Sequence, residues 1–447
     1  MKKIFITFII ASLLLIYPEN KSDQKDLSVV ERYKEILTYG IDSEVVNILP
    51  NLGTSPNKEF YPILLDRYKN SNQDEVKVKL ADFFSNCDNL PDSITDAIYS
   101  DVKREPSNVK LHTALLGVIS KKGKTEEQKI LVDRLDFLND TVKNASADFL
   151  SRMTDPELAP LILNRLEVSE KDNEKFLSND IKAKLILALG KMKSKESLEY
   201  LKNAASEESN DKYIIMFSMV SLAEMQDEES IEIMKKNLGS DEISIQEYAS
   251  YSLSKYKSNK VLPILKDMLK NNNEKIRSFA CQGMVSNFDA ETLKILLYKA
   301  KNDPSESIRN QALTSLIQIG NAGINELKDA MKGKDFSDND LHVMSLAVVN
   351  KPDASGVDFI LSLYDKLEKK KKDIIAKNII TGTSNLLDRI TALLLKSDDP
   401  LVRINALKTV FQTKDSSLWP EVNEISEKDS NDNVKKIAKG YLELRSK

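Results

Sequence analysis

The sequence predicts an all-α protein: an N-terminal export signal followed by about thirteen helix pairs stacked into one right-handed α-α superhelix. Three observations predict it. Gly and Pro number only 13 each in 447 residues, too few for the tight turns of an all-β chain. Charged residues make up 30% of the chain, and Leu, Ile, Lys, Glu and Ala recur throughout, the composition of long amphipathic helices. A capped helix start also returns at intervals of 28 to 39 residues along almost the whole length. Length alone would suggest about three domains, but a repeat array grows without enlarging any single core.

The first element is the export signal. Lys2 and Lys3 precede an apolar run from Ile4 to Ile16, closed by Tyr17-Pro18 and then by Glu19, Asn20 and Lys21. That run is too short to span a bilayer and matches the hydrophobic segment of a signal peptide. Residues 1–20 are expected to direct export to the periplasm or cell envelope, or to the extracellular space. No Ala-x-Ala site marks the cleavage point, no Cys follows the run as in a lipoprotein, and no later stretch is apolar enough to cross a membrane.

The repeats follow as a continuous solenoid over 26–447. In each, an Asp, Asn or Ser that can cap a helix is followed within three positions by a β-branched residue or Leu. These anchors are Val45, Val76, Val109, Val142, Ile181, Ile214, Ile245, Ile276, Ile308, Leu341, Ile374, Val402 and Val434. Each begins a stripe at i, i+4, i+8, such as Ile276, Ala280, Met284 or Ile308, Ala312, Leu316. Positions four apart share one helical face, so each stripe is a seam for burial. A second amphipathic helix precedes each anchor, and stacking buries what one pair cannot. Pro62, Pro263 and Pro420 fall 13 or 14 residues before their anchors, and Pro160 falls 21 before Ile181. The difference is a polar insert at 170–177. Pro is tolerated early in a helix because its missing N–H has no partner there. The end units, Leu27 to Leu52 and Leu418 to Lys447, are expected to act as caps.

Asp155 to Leu166 (DPELAPLILNRL) resembles the first helix of a short bacterial HEAT repeat, and Asp399 to Leu407 (DPLVRINAL) resembles the start of the second. The residue after the anchor is basic at Lys77, Lys110, Lys143, Lys182, Arg277, Arg309, Arg403 and Lys435. In the HEAT family that position pairs with nearby acids to form ladders between repeats. The resemblance therefore implies Asp74, Asp140, Asp180 and Asp399 as partners, with the ladder interrupted at Ile215, Gln246, His342 and Ile375. It is specific for fold and nearly silent on function. Tetratricopeptide arrays have a similar period, but their Trp…Leu-Gly…Tyr pattern is missing, and the only Trp is Trp419.

Chemistry is sparse. With 65 basic against 69 acidic residues, nothing favours nucleic acid or an anionic membrane. Cys87 and Cys281 lie six repeats apart, on the order of 50 Å at ~9 Å per layer, well beyond disulfide reach. His112 and His342 are seven repeats apart, have no companion four residues away, and read as isolated helix-surface residues. Metal sites and nucleophilic triads are unsupported, as are the His-Glu motifs of HEAT-like hydroxylases. Gly117 and Gly123-Lys124-Thr125 approach a phosphate-binding loop, but the spacing is one residue too long and Gly117 falls inside a helix. The run Lys369 to Lys372 reads as a solvated turn between two helices.

The most informative region is mid-chain. The helix from Tyr213 to Leu222 is apolar nearly all round: Ile214, Ser218 and Leu222 form its seam, while Met216 and Val220 point the other way. Such a helix is usually buried on every side. The next two units place Tyr248, Tyr251 and Phe279 at similar offsets. Second helices line the concave face of a solenoid, so Met216, Phe217, Val220, Tyr248, Tyr251 and Phe279 are candidate partner-binding residues, with tight inner packing the competing reading. The expected function is a non-enzymatic exported scaffold or adaptor for a protein or peptide, with no cofactor. An enzyme-associated or lyase-like HEAT subunit, or a small-molecule or polysaccharide binder, is the alternative.

Overall fold

The computed structural model describes residues 28–208, 210–330, 336–413 and 415–445. The expected export signal at 1–20 lies outside the described residues. The chain divides into two compact units, one ending at Leu177 and the other beginning at Ser178, directly after the predicted insert.

The first unit alternates short and longer helices. It contains α1 (Val29–Tyr39), α2 (Asp42–Ile48), α3 (Phe60–Asn70), α4 (Asp74–Asn86), α5 (Asp92–Lys103) and α6 (Val109–Lys122). The next first helix is broken into α7 (Thr125–Gln128), α8 (Ile130–Asp133) and a 3₁₀ turn, Arg134–Asp136. Then come α9 (Asp140–Leu150) and α10 (Ala159–Lys171). Within the unit α4, α6 and α9 pack in succession. The insert folds back: the Leu177 amide donates to Ser169 Oγ at 2.9 Å, and Arg165 donates to the Lys175 carbonyl at 2.8 Å.

The second unit runs α11 (Asn179–Met192), α12 (Leu198–Ser206), α13 (Lys212–Glu224), α14 (Ile231–Asn237), α15 (Ile243–Lys255), α16 (Leu262–Met268) and α17 (Glu274–Gly283). It continues with α18 (Ala290–Asn302), α19 (Glu306–Ile319), α20 (Asn321–Ala330), α21 (Asp338–Asn350), α22 (Ala354–Tyr364) and α23 (Lys369–Ile379). It ends with α24 (Asp388–Leu395), α25 (Pro400–Gln412), α26 (Trp419–Lys428) and α27 (Asp432–Arg445). The second helices form a row in which α11, α13, α15, α17, α19, α21 and α23 each pack against the next. Among the described residues there is no strand.

The caps act as the spacing predicts. Asn139 Oδ1 accepts the Val142 amide at 3.3 Å, Ser178 Oγ the Ile181 amide at 3.4 Å, Ser305 Oγ the Ile308 amide at 3.4 Å and Asn431 Oδ1 the Val434 amide at 3.3 Å. Each bond satisfies one of the orphan donors of a helix start. Pro160, Pro263 and Pro420 occupy the opening turns of α10, α16 and α26. Ile276, Ala280 and Met284 are fully buried, as are Ile308, Ala312 and Leu316. Three anchors, Val109, Ile374 and Val402, are only half-buried. In α23 the buried pair is Ile375 and Ile379, one residue later than the anchor reading.

Three devices hold successive repeats together. The first is close backbone approach. A Cβ on Gly190 would lie 2.5 Å from Ser221 Cα, so α11 and α13 meet where only glycine fits. The second is a hydroxyl seven residues after the anchor that donates to a carbonyl of the preceding second helix. Ser221 bonds Ile186 at 2.9 Å, Ser315 bonds Cys281 at 2.9 Å, and Thr409 bonds Ile380, just past the end of α23, at 3.0 Å. The third is arginine. Arg277 makes a bidentate pair with Asp303 at 3.2 and 3.0 Å, and Arg403 pairs likewise with Asp429 at 2.8 Å through both contacts.

The ladder thus exists at Arg277 and Arg403, but its acids differ from those the HEAT resemblance implied. Asp140 and Asp180 pair with Lys143 and Lys184 inside their own helices, and Asp399 caps α25. The real partners precede the next second helix by a few residues, where a carboxylate reaches back across the interface.

Candidate functional site

The candidate site lies on α13, α15 and α17 of the second unit. Helix α13 packs against α11, α12 and α15, which explains its nearly uniform apolar surface: Ile214, Ile215, Met216, Ser218, Met219, Ser221, Leu222 and Ala223 are all buried. Met216 is therefore interior and is removed from the candidate face. Its thioether fills the stack, where a flexible side chain fits irregular gaps. Phe217, Val220, Tyr248, Tyr251 and Phe279 are half-buried, each with one side on the stack and one side open.

The rings form a path across three helices. Tyr213 and Phe217 have centroids 6.2 Å apart, Phe217 and Tyr248 5.9 Å, and Tyr251 and Phe279 5.5 Å. All three contacts are tilted or edge-on, the arrangement aromatic quadrupoles prefer. Tyr213, 49% exposed, belongs to this path although the offsets did not single it out. The available signal was its place four residues before Phe217, on the same helical face. Lys255 Nζ lies 4.7 Å from the Tyr251 ring centroid and Lys212 Nζ 5.5 Å from that of Tyr213, both within cation–π range. The hydroxyls of Tyr213, Tyr248 and Tyr251 have no hydrogen-bond partner among the described residues. Glu247, beside Tyr248, accepts from Lys275 at 2.9 Å and Asn273 at 3.1 Å. Burial alone would raise its carboxyl, but these two donors hold it below the ordinary value.

Among the described residues, reactive groups are not gathered elsewhere. His112 is fully buried, not on the helix surface as the sequence suggests. Its Nε2 accepts from Arg134 Nε at 3.2 Å, and the Phe137 ring packs edge-on at 5.0 Å. Burial, followed by the Arg134 charge, lowers its pKa, and its Nδ1 has no hydrogen-bond partner among the described residues. His342 is exposed, with Asn378 Nδ2 3.1 Å from its Nδ1. Both thiols are buried: burial pushes Cys281 up to about 12 and Cys87 upward, leaving them protonated and weakly nucleophilic at neutral pH. Among the described residues no three His, Cys, Asp or Glu side chains form a group that could hold a metal ion, and no helix is long and apolar enough to cross a membrane.

Gly117 sits inside α6, and Gly123 follows its end with its amide bonded to the Ile119 carbonyl at 2.9 Å. Lys124 and Thr125 line a shallow 590 Å³ cavity with Lys121, Phe149, Arg152 and Asp155. There Lys124 is already paired with Asp92 at 2.9 Å. The run Lys369 to Lys372 is not a turn: it forms the first turn of α23, with Lys370 on Asp338 at 2.9 Å.

Stacked helix pairs with capped, anchored second helices define an all-α helical-repeat protein. No protein-family model matches the chain, and no curated protein sequence is similar to it. Among solved structures, the karyopherin Kap95 in its Nup1 complex is similar at 14% identity and TM-score 0.40, over 90% of this chain and 61% of that one. Kap121 bound to Ste12 is similar at 14% and 0.36, over 92% and 48%. Human deoxyhypusine hydroxylase is similar at 15% and 0.26, over 62% and 97%. The chain thus spans about half to three fifths of those karyopherins. Likeness at this level bears on neither partner nor chemistry.

Proposed function

We propose that this protein is a non-enzymatic, exported scaffold or adaptor that binds a protein or peptide partner along the second helices of its second unit. The observation that carries the reading is the path of rings from Tyr213 to Phe279. Each ring is open on one side, none spends its hydroxyl inside the chain, and together they present an apolar, aromatic surface of the kind that anchors interfaces. Binding proceeds by shape and by many modest contacts spread over three repeats, with no group consumed. The basic, apolar N-terminal run supports export.

Site-specific photocrosslinking in the native envelope tests it. A photoreactive residue placed at Tyr251 should give a discrete adduct, while one at Tyr298, exposed on α18, should not. The adduct should fade when Phe217→Ser and Phe279→Ser are combined with the probe, with helicity by circular dichroism unchanged. Equal labelling from both positions, or persistence of the adduct in the double variant, would refute it.

A further inference from the structure

We infer that the occupant of the ring path is a proline-rich segment in the polyproline II conformation, flanked by carboxylates. This rests on the binding role proposed above and names the class of partner.

The argument begins with spacing. Packed helices lie about 9 Å apart. Polyproline II repeats every three residues with a pitch of about 9 Å. A chain crossing α13, α15 and α17 in that conformation therefore sets the same edge against each helix in turn, one proline ring per aromatic step: Phe217, then Tyr248 and Tyr251, then Phe279. An extended β-strand alternates faces every residue and would turn half of its side chains away.

Hydrogen bonding points the same way. The three phenol hydroxyls are unused inside the chain and stand ready to donate. A proline-rich segment offers bare carbonyls and few N–H groups, so it supplies acceptors where this face supplies donors. Charge agrees as well. Lys212 and Lys255 sit over the rings of Tyr213 and Tyr251, and neither has a carboxylate partner among the described residues. Glu247, the acid beside Tyr248, is already neutralised by Lys275. Two uncompensated cations on the path call for acids on either side of the prolines.

Fluorescence anisotropy with the full chain tests the proposal. The probe is a labelled peptide of about twelve residues with proline at every third position and glutamates at both ends, binding in roughly the micromolar range expected for such grooves. An isomeric peptide with its prolines clustered should bind at least about tenfold more weakly. Tyr248→Phe with Tyr251→Phe keeps both rings and should weaken binding by about five- to tenfold, with the melting curve unmoved. Lys212→Gln with Lys255→Gln should weaken it and flatten its dependence on salt.

Equal affinity for the two isomers would overturn the proposal. So would capture of a soluble β-glucan oligosaccharide in preference to the peptide. If the peptides fail while the Tyr251 adduct persists, the binding role stands and only the partner class falls. If both fail, the role falls with it.

Discussion

Both units tie neighbouring repeats with buried arginines, but the carboxylates they meet are in different surroundings. In the first unit Arg134 pairs with Glu105 and Arg165 with Asp136, and those acids are 54% and 47% exposed. In the second, the Asp303 side chain is 0% exposed and that of Asp429 is 6% exposed. Water therefore screens one set of pairs and not the other. A pair desolvated at both ends is costly to break, because the survivor is left as an uncompensated buried charge. A pair with one end in water has an alternative solvation and contributes little. The same inter-repeat problem is solved as a firm clasp in one unit and a loose one in the other.

The largest effect expected from this contrast is at Asp303. Asp303→Ala strands Arg277 and should cost about 3–5 kcal/mol, read by urea unfolding of the full chain. A loss under 1 kcal/mol would erase the distinction. The same clasp is acid-sensitive. Burial would raise the Asp303 carboxyl, but Arg277, Lys299 and the Ser305 amide outweigh it and hold the pKa below 3.8. A carboxyl depressed on folding stabilises the fold above its unfolded pKa. This contribution is complete above about pH 4 and is lost as pH falls through the lower, folded value.

Next in size is the backbone contact at Gly190. Gly190→Val drives a side chain onto Ser221 Cα, which cannot yield as a flexible side chain would. It should cost about 3 kcal/mol, whereas Gly440→Ala, with nothing within 4 Å, should be neutral or slightly stabilising.

In the first unit the sensitive group is His112. Its folded pKa is lowered by burial and by Arg134, so the unfolded chain takes up the proton first. Stability should be full above about pH 6.5 and decline as pH falls from there toward the folded value. His112→Gln keeps an acceptor for Arg134 and should flatten that decline between pH 7 and 5 in thermal melts. The smallest effect is expected at the exposed acids. Glu105→Gln and Asp136→Asn should each cost less than about 1 kcal/mol. A larger loss would mean that water does not reach those carboxylates.

The helix pairs and their phase were legible because each unit announces itself locally, by a cap and an i, i+4 stripe. The clasp was half legible. Arg277 and Arg403 stood out beside their anchors, but Asp303 and Asp429 come 26 residues later in a loop, and nothing local marks which acid will turn back. His112 misled because it holds the same offset from its anchor as Phe217, Tyr248 and Phe279, three residues on, and those are half open. In its own unit the broken first helix brings Arg134 and Phe137 over that position, a tertiary event that no periodicity encodes. Met216 was misplaced for a related reason: an apolar residue on a helix packed on several sides cannot be assigned to a face by spacing alone. The ring path is written in its offsets, but whether a phenol hydroxyl is spent depends on which groups the neighbouring helices bring to it, and no offset encodes that.

Ser252 stands seven residues after Ile245, where its counterparts Ser221, Ser315 and Thr409 each stitch one second helix to the one before. Its hydroxyl is buried and has no hydrogen-bond partner among the described residues. The α13–α15 joint therefore lacks that stitch and is held at its far end instead, where Gln226 donates to the Lys255 carbonyl at 3.0 Å and accepts from the Lys257 amide at 2.9 Å. In elastic terms it is a leaf clamped at one end. Phe217 meets Tyr248 across this joint, so whatever settles on those rings loads it away from that clamp.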